Sequence, residues 1–228
     1  MMQGIQERSS HKDFKRLQDK QKAVSLWNRS EPAQGTLVEK YFASRHLTVT
    51  PPDSLRFHSK LDYWEQDDQG TWKQTFYPAL IAQIQRYPGD DCMGIHRTYL
   101  RSDGWGKAPV ACPKKMLGDC WGGAVRFAGE TLECIALGEG IETCLSYWQE
   151  NYYMTVWACL SVSGMKSIVL PPCSVTFEVI IIADHDAAGI SAGKELATRL
   201  VKEGRKVYLI TPSQEGADMN SLLGEPHD

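Results

Sequence analysis

The sequence has no long apolar run. Nowhere among its 228 residues do apolar side chains approach the roughly 20 consecutive positions that a membrane-spanning helix needs. The first residues, "MMQGIQERSSHKDFKRLQDKQK", are polar and charged and contain no apolar segment suited to a secretory signal peptide. We therefore expect no membrane partner and a cytoplasmic location.

The sequence also lacks the closely spaced cysteine pairs that hold structural zinc. Its seven cysteines are widely spread, and none stands in a Cys-x-x-Cys arrangement. Because the number is odd and several lie in apolar runs, we expect reduced thiols that pack as small apolar side chains. No zinc site is predicted.

Net charge is small, formally −3, but it is distributed unevenly. Residues 1–128 contain 19 Lys and Arg against 14 Asp and Glu, which gives +5, whereas residues 129–228 contain 6 against 14, which gives −8. A basic half joined to an acidic half is typical of a chain that binds a polyanion with one part and metal cations with the other. Chance variation in surface charge explains this one observation equally well.

The pattern of apolar residues divides the chain into three parts. Residues 1–35 predict a charged helix followed by the break "SEPAQGT". Residues 36–128 begin with the helical segment "LVEKYFASRHL" and continue as short apolar segments separated by turns such as "DDQG" and "RSDGWG", which indicates an antiparallel meander and an α+β class. In residues 129–228 strands alternate with helices, which predicts a four-stranded parallel sheet flanked by helices.

Four acidic residues follow strands of this second sheet. Glu139 follows the first strand, Asp184 and Asp186 follow the third, and Asp218 comes shortly after the fourth. Ligands of open parallel sheets collect at the carboxyl ends of the strands, and clustered carboxylate oxygens suit Mg²⁺ or Mn²⁺. Alternatively, an aspartate before "AAG" merely caps the next helix, which explains one aspartate of the pair but not both.

The segments "LGEGIETCLS", "IIIADHDAAG" and "EGADMNSLL" resemble the toprim domain, which primases, topoisomerases and certain nucleases share. The resemblance covers residues 131–224 and places the toprim Glu-Gly motif at Glu139 and its Asp-x-Asp motif at Asp184 and Asp186. It implies that these three residues are catalytic and that they bind metal together with Asp218. Asn220 stands where a second acidic residue is common in the last motif.

The upstream half resembles the catalytic core of phage and plasmid primases of the P4 type, through "GTLVEKYFASRHL", "YPALIAQI", "MGIHRTYL", "KKMLG" and "GGAVRF". The implied fold is α/β, a toprim domain preceded by a smaller α+β primase-like subdomain. In such enzymes basic residues of this part bind nucleotide phosphates and template. By position these are Arg97 and Lys115, followed by Lys114 and Arg56.

Together the resemblances imply a metal-dependent primase-like nucleotidyltransferase that uses NTPs and single-stranded DNA in the replication of a phage, plasmid or other mobile element. Primases usually carry a zinc-binding module ahead of this core, and the sequence shows none. We therefore expect a separate helicase or zinc-bearing replication protein as a partner. Two other hypotheses stay open: a toprim nuclease or nucleic-acid processing enzyme that uses the same acids, and a non-catalytic module that binds nucleic acid or a replication protein.

Overall fold

The computed structural model describes residues 2–213 and residue 216, with side chains from residue 13 onward, so that Asp218 and Asn220 lie outside the described residues. Within this part the chain forms five helices and ten strands. The helices are α1 (Met2–Arg29), α2 (Leu37–Ala43), α3 (Ile141–Glu150), α4 (Val162–Ser167) and α5 (Ala187–Lys202). The strands are β1 (Glu31–Pro32), β2 (Leu55–Gln66), β3 (Trp72–Ile84), β4 (Gly94–Tyr99), β5 (Lys114–Gly118), β6 (Val125–Phe127), β7 (Cys134–Gly138), β8 (Thr155–Ala158), β9 (Glu178–Ile182) and β10 (Lys206–Ile210).

None of the helices in the described part of the chain combines the length and the apolar character that crossing a membrane requires.

The first sheet contains β1 to β5 in chain order, with every neighbouring pair antiparallel, as the meander predicts. In the turn between β2 and β3, Asp67 Oδ1 accepts hydrogen bonds from the backbone N–H groups of Gln69 and Thr71. One face of the sheet packs against α1, where Leu26 and Trp27 join a buried cluster with side chains of the sheet. The other face is turned towards α2 and the second half of the chain.

The second sheet has the order β10-β9-β7-β8-β6. Strands β10, β9, β7 and β8 are parallel, which confirms the predicted four-stranded parallel sheet. Gly138, the last residue of β7, lies opposite Ala158 of β8 and Ile182 of β9. The carboxyl ends of these three strands are therefore level, and the loops that leave them start from one edge of the sheet.

A fifth strand, β6, joins the second sheet at its outer edge and runs antiparallel to β8. From the sequence, its segment "GGAVRF" was predicted to belong to the first half of the chain. Just before β6, Gln85 and Ala124 exchange two backbone hydrogen bonds of 2.9 Å, so the end of β3 is paired with the start of the second sheet. A buried cluster that includes Phe42, Leu80 and Leu145 extends from α2 through the first sheet to α3.

Candidate active site

Glu139 is held at the carboxyl edge of the second sheet. It follows β7 directly, and its carbonyl accepts a hydrogen bond of 2.8 Å from the backbone N–H of Leu160, just beyond β8. Gly138 allows α3 to approach, because a Cβ atom there would lie 2.6 Å from Cys144 Sγ. The backbone around Glu139 is thus fixed on both sides, and its half-buried side chain is presented at a defined position.

Asp184 and Asp186 lie in the tight connection between β9 and α5. Asp186 is the N-cap of α5, and its Oδ1 accepts a 2.7 Å hydrogen bond from the backbone N–H of Gly189. Gly189 packs closely on this connection, since a Cβ atom there would lie 2.6 Å from the carbonyl oxygen of Asp184. The helix-cap interpretation therefore applies to Asp186, through one of its two carboxylate oxygens, and leaves Asp184 for another role.

The charge of a neighbouring acid disfavours the ionised form of Glu139. Burial raises the pKa of Glu139, and the negative charge of Asp186 raises it further, while the positive charge of Lys114 opposes the shift. Carboxylates that disfavour one another's ionisation are stabilised by a cation placed between them. The edge of the sheet is therefore electrostatically suited to a positively charged ligand.

The donor set fits a magnesium ion that shares its coordination with water and substrate. Within the described residues, no three His, Cys, Asp or Glu side chains are arranged as a complete metal site. Mg²⁺ typically uses only one or two protein carboxylates and completes its shell with water and phosphate oxygens. Glu139 and Asp184, which line the same cleft, meet that requirement. Asp218 lies outside the described residues.

A cleft of about 200 Å³ separates the two halves of the chain at this edge. Its acidic wall comes from the second half, and its basic wall from the first. The acidic side chains are Glu139, Glu142 and Asp184, and the basic wall contains Arg45, His96, Lys107 and Lys114. A second cavity, of about 500 Å³, is lined by residues that include Arg126 and Trp157 and by none of the predicted site residues.

Lys114 is the one predicted basic residue that the structure brings into this cleft. Lys115 lies opposite Arg97 in the pairing of β5 with β4, and adjacent residues of a strand face opposite sides of the sheet. Accordingly, Lys115 Nζ donates to the carbonyl of Trp64 at 2.8 Å and lies 3.8 Å from the centre of the Tyr63 ring. Arg97 donates to the carbonyl of Met116 at 3.2 Å. Both are on the face of the sheet away from the cleft.

Arg56 is also engaged elsewhere. Its Nη1 donates to the carbonyl of Trp27 at 2.9 Å, and its guanidinium carbon stands 4.4 Å from the centre of the Trp27 ring. These contacts attach α1 to β2. The structure therefore gives Arg56, Arg97 and Lys115 roles in packing the first half, and their contact with nucleotide or template stays a prediction.

Glu142, in the first turn of α3, is the buried centre of a cross-domain network that sequence reasoning missed. Its Oε1 accepts a 2.5 Å hydrogen bond from the Tyr41 hydroxyl and lies 3.4 Å from Lys107 Nζ, while Oε2 lies 3.0 Å from Lys114 Nζ. Burial alone would raise the pKa of Glu142, but the two ammonium groups and the hydrogen bond from Tyr41 more than offset it, and the pKa is lowered far below its usual range. Glu142 is ionised.

Two further residues of the basic wall carry no signal in the sequence. Burial lowers the pKa of Lys107, with the nearby charge of Glu142 opposing the shift. Burial and the charge of Lys114 lower the pKa of His96 to about 4, so that His96 is neutral near pH 7. Lys107 follows a turn and resembles a solvated loop lysine, and only the position of the partner acid in the fold distinguishes it.

Family comparisons cover both halves of the chain. Residues 18–127 match a family described as a domain of unknown function, DUF7146. Residues 134–226 match a family described as a toprim domain, Toprim_3. No curated protein matches the chain in sequence.

Solved structures of primase catalytic cores share the fold. A DNA primase domain from Pseudomonas aeruginosa aligns over 90% of this chain and 74% of its own, with a TM-score of 0.57 and 14% identity. The Escherichia coli primase catalytic core aligns over 89% of this chain and 74% of its own, with a TM-score of 0.54 and 13% identity. A DnaG primase catalytic domain bound to single-stranded DNA aligns over 92% of this chain and 75% of its own, with a TM-score of 0.56 and 12% identity. Residues 134–226 therefore match the toprim family in sequence, and the described part of the chain has the fold of these primase catalytic cores.

Proposed function

We propose that the protein is a metal-dependent, primase-like nucleotidyltransferase that synthesises primers on single-stranded DNA. The observation that carries this proposal is the cleft, in which Glu139 and Asp184 on one wall face Lys114 on the other. This distribution of charge suits a reaction in which a 3′-hydroxyl attacks the α-phosphorus of an NTP and pyrophosphate leaves. The acidic wall accommodates a metal cation, and the basic wall accommodates the phosphates that accompany it.

In this proposal Glu139 and Asp184 hold Mg²⁺ or Mn²⁺, and Asp186 and Asp218 are further ligands. The ion supplies positive charge that stabilises the negative charge developing on the phosphate oxygens. Glu139 has a second candidate role as general base, because its carboxylate lines the cleft beside Asp184 at the carboxyl edge of the sheet. Lys114 binds a nucleotide phosphate as a point charge.

The wider context stays as the sequence predicts it. A mobile-element origin, a separate helicase or zinc-bearing partner and a cytoplasmic location are parts of the proposal on which the fold does not bear. A toprim nuclease would use the same acidic wall, so the two activities must be separated by their products.

The decisive experiment supplies the purified protein with single-stranded DNA, labelled NTPs and Mg²⁺ or Mn²⁺. We expect template-dependent oligonucleotides from the wild type and a loss of at least about a hundredfold in Asp184→Asn, because electrostatic stabilisation of the transition state is removed. Asp103→Asn is the matched control, since Asp103 pairs with Arg101 on the surface, outside the cleft.

Each result has a distinct meaning. Metal-dependent degradation of DNA that is lost in Asp184→Asn supports the nuclease, and DNA binding without turnover supports the non-catalytic module. Full synthesis by Asp184→Asn, with thermal stability matched to the wild type, contradicts the proposed metal site.

A further inference from the structure

Glu142 joins the two halves of the molecule at the cleft. Its side chain is only 8% exposed, whereas those of its partners Lys107 and Lys114 are 32% and 38% exposed. The carboxylate is therefore interior, and the two ammonium groups extend from it towards solvent at the basic wall. Tyr41, on α2, donates the third contact to the same carboxylate.

The network fixes two flexible side chains at one place. A lysine carries its charge on a long stem with many rotamers, and two lysines brought together repel each other. Glu142 neutralises one of the two positive charges and gives both Nζ atoms a common partner, with Lys107 on Oε1 and Lys114 on Oε2. The remaining charge of the three groups is +1, across the cleft from Glu139 and Asp184.

We propose that Glu142 is a positioning residue that holds Lys107 and Lys114 as a paired clamp for the polyphosphate of the incoming nucleotide, with Lys107 as a phosphate-binding residue in its own right. This inference rests on the proposed function for the identity of the ligand. Two ammonium groups attached to one buried carboxylate match a chain of phosphates better than a single phosphate, because each Nζ contacts a different phosphoryl group. The carboxylate itself acts only through the lysines and contacts no substrate.

The direction in which Glu142→Gln changes phosphate binding distinguishes a positioning role from a simple effect of charge. If Glu142 influenced phosphates only by its negative charge, Glu142→Gln would remove a repulsion and tighten their binding. If Glu142 positions the lysines, the same change releases them and weakens binding. With inorganic tripolyphosphate as the probe, we expect Glu142→Gln and Lys107→Met each to raise the dissociation constant by about tenfold, the usual effect of losing a hydrogen bond to a charged group.

A double variant tests whether the two residues act together. Because Glu142 acts through the two lysines, the combination of Glu142→Gln with Lys107→Met should weaken tripolyphosphate binding no more than the stronger single change. Asp119→Asn is the matched control: Asp119 is also buried and pairs with two cations, Arg16 at 2.7 Å and Arg86 at 3.2 Å, but lies outside the cleft. It should leave the dissociation constant unchanged.

Calorimetric titration at fixed ionic strength, with thermal unfolding of every variant, measures these effects. Unchanged or tighter binding in Glu142→Gln overturns the inference, as do multiplying effects in the double variant or an equal loss in Asp119→Asn. Should Glu142→Gln fail to fold, Lys107→Met decides alone, because its side chain is partly exposed, and unchanged binding there overturns the clamp. If the wild-type protein makes no primers but the variants show the expected binding pattern, the proposed function is contradicted and the clamp is supported. If it makes primers without that binding pattern, the proposed function is supported and the clamp is contradicted.

Discussion

Asp186 combines a helix cap, which the structure shows, with a proposed metal-binding role. The cap uses Oδ1, and its partner is the N–H of Gly189 in the first turn of α5. Asn caps a helix about as well as Asp does, but it lacks the charge that attracts a divalent cation. The two roles are therefore separable by substitution.

We expect Asp186→Asn to keep the stability of the wild type and to lose metal-dependent primer synthesis. Asp186→Ala should lose the synthesis as well and should also be less stable. The free energy of unfolding of the alanine variant should be lower by about 1 kcal/mol, the usual cost of removing an N-cap. Denaturant unfolding and synthesis at increasing Mg²⁺ measure the two effects. Full synthesis by Asp186→Asn would show that the carboxylate serves α5 alone.

At this scale the sequence predicted the acidic residues and one residue of the basic wall, Lys114, but missed Arg45, His96 and Lys107. Glu139, Asp184 and Asp186 follow strands whose order along the chain can be derived from the apolar pattern. The contact of Tyr41 with Glu142 spans 101 residues, and no local pattern records it. In the sequence alone, Glu142 is indistinguishable from an acid that favours the start of a helix.

Strand β5 shows how an element distributes function between its two faces. Lys114 and Lys115 are adjacent, so the sequence indicates that one faces each way without indicating which lysine faces the cleft. The pairing with β4 decides it, because Lys114 lies opposite Thr98 and Lys115 opposite Arg97. The meander itself was predictable from its turns, but the partner of each face depends on how the second half packs against it.

We expect Lys114→Met to weaken the binding of Mg²⁺-ATP by about tenfold, since a charged contact with phosphate is lost, while Lys115→Met leaves it unchanged. Lys115 contacts Tyr63 and the carbonyl of Trp64, so its replacement should appear in thermal stability instead. Fluorescence titration of both variants measures the difference. Equal losses of affinity in the two variants would contradict the assignment of the faces.

The whole molecule is joined by a buried cluster to which both halves contribute. Phe42 of α2 is 2% exposed and belongs to the same cluster as Phe127 of β6 and Leu145 of α3. An interface that is continuous with both cores couples their stability. The halves should consequently lose their structure together.

We expect Phe42→Ala to lower the free energy of unfolding by about 3 to 5 kcal/mol and to leave a single transition, because a large buried side chain is replaced by a cavity. Phe14, whose exposed fraction is 59%, provides the control, and Phe14→Ala should change stability little. Circular dichroism and tryptophan fluorescence, recorded through the same denaturant series, measure both quantities. Two separated transitions in the wild type would show that the halves are independent.

The paired hydrogen bonds between Gln85 and Ala124 limit how the cleft can open. They attach the end of the first sheet to the strand that enters the second, so a large rotation of one half against the other would have to break backbone pairing. A nucleotide bound as proposed would therefore enter a gap whose width changes little. The proposed reaction would then proceed without a hinge-like closure of one half on the other.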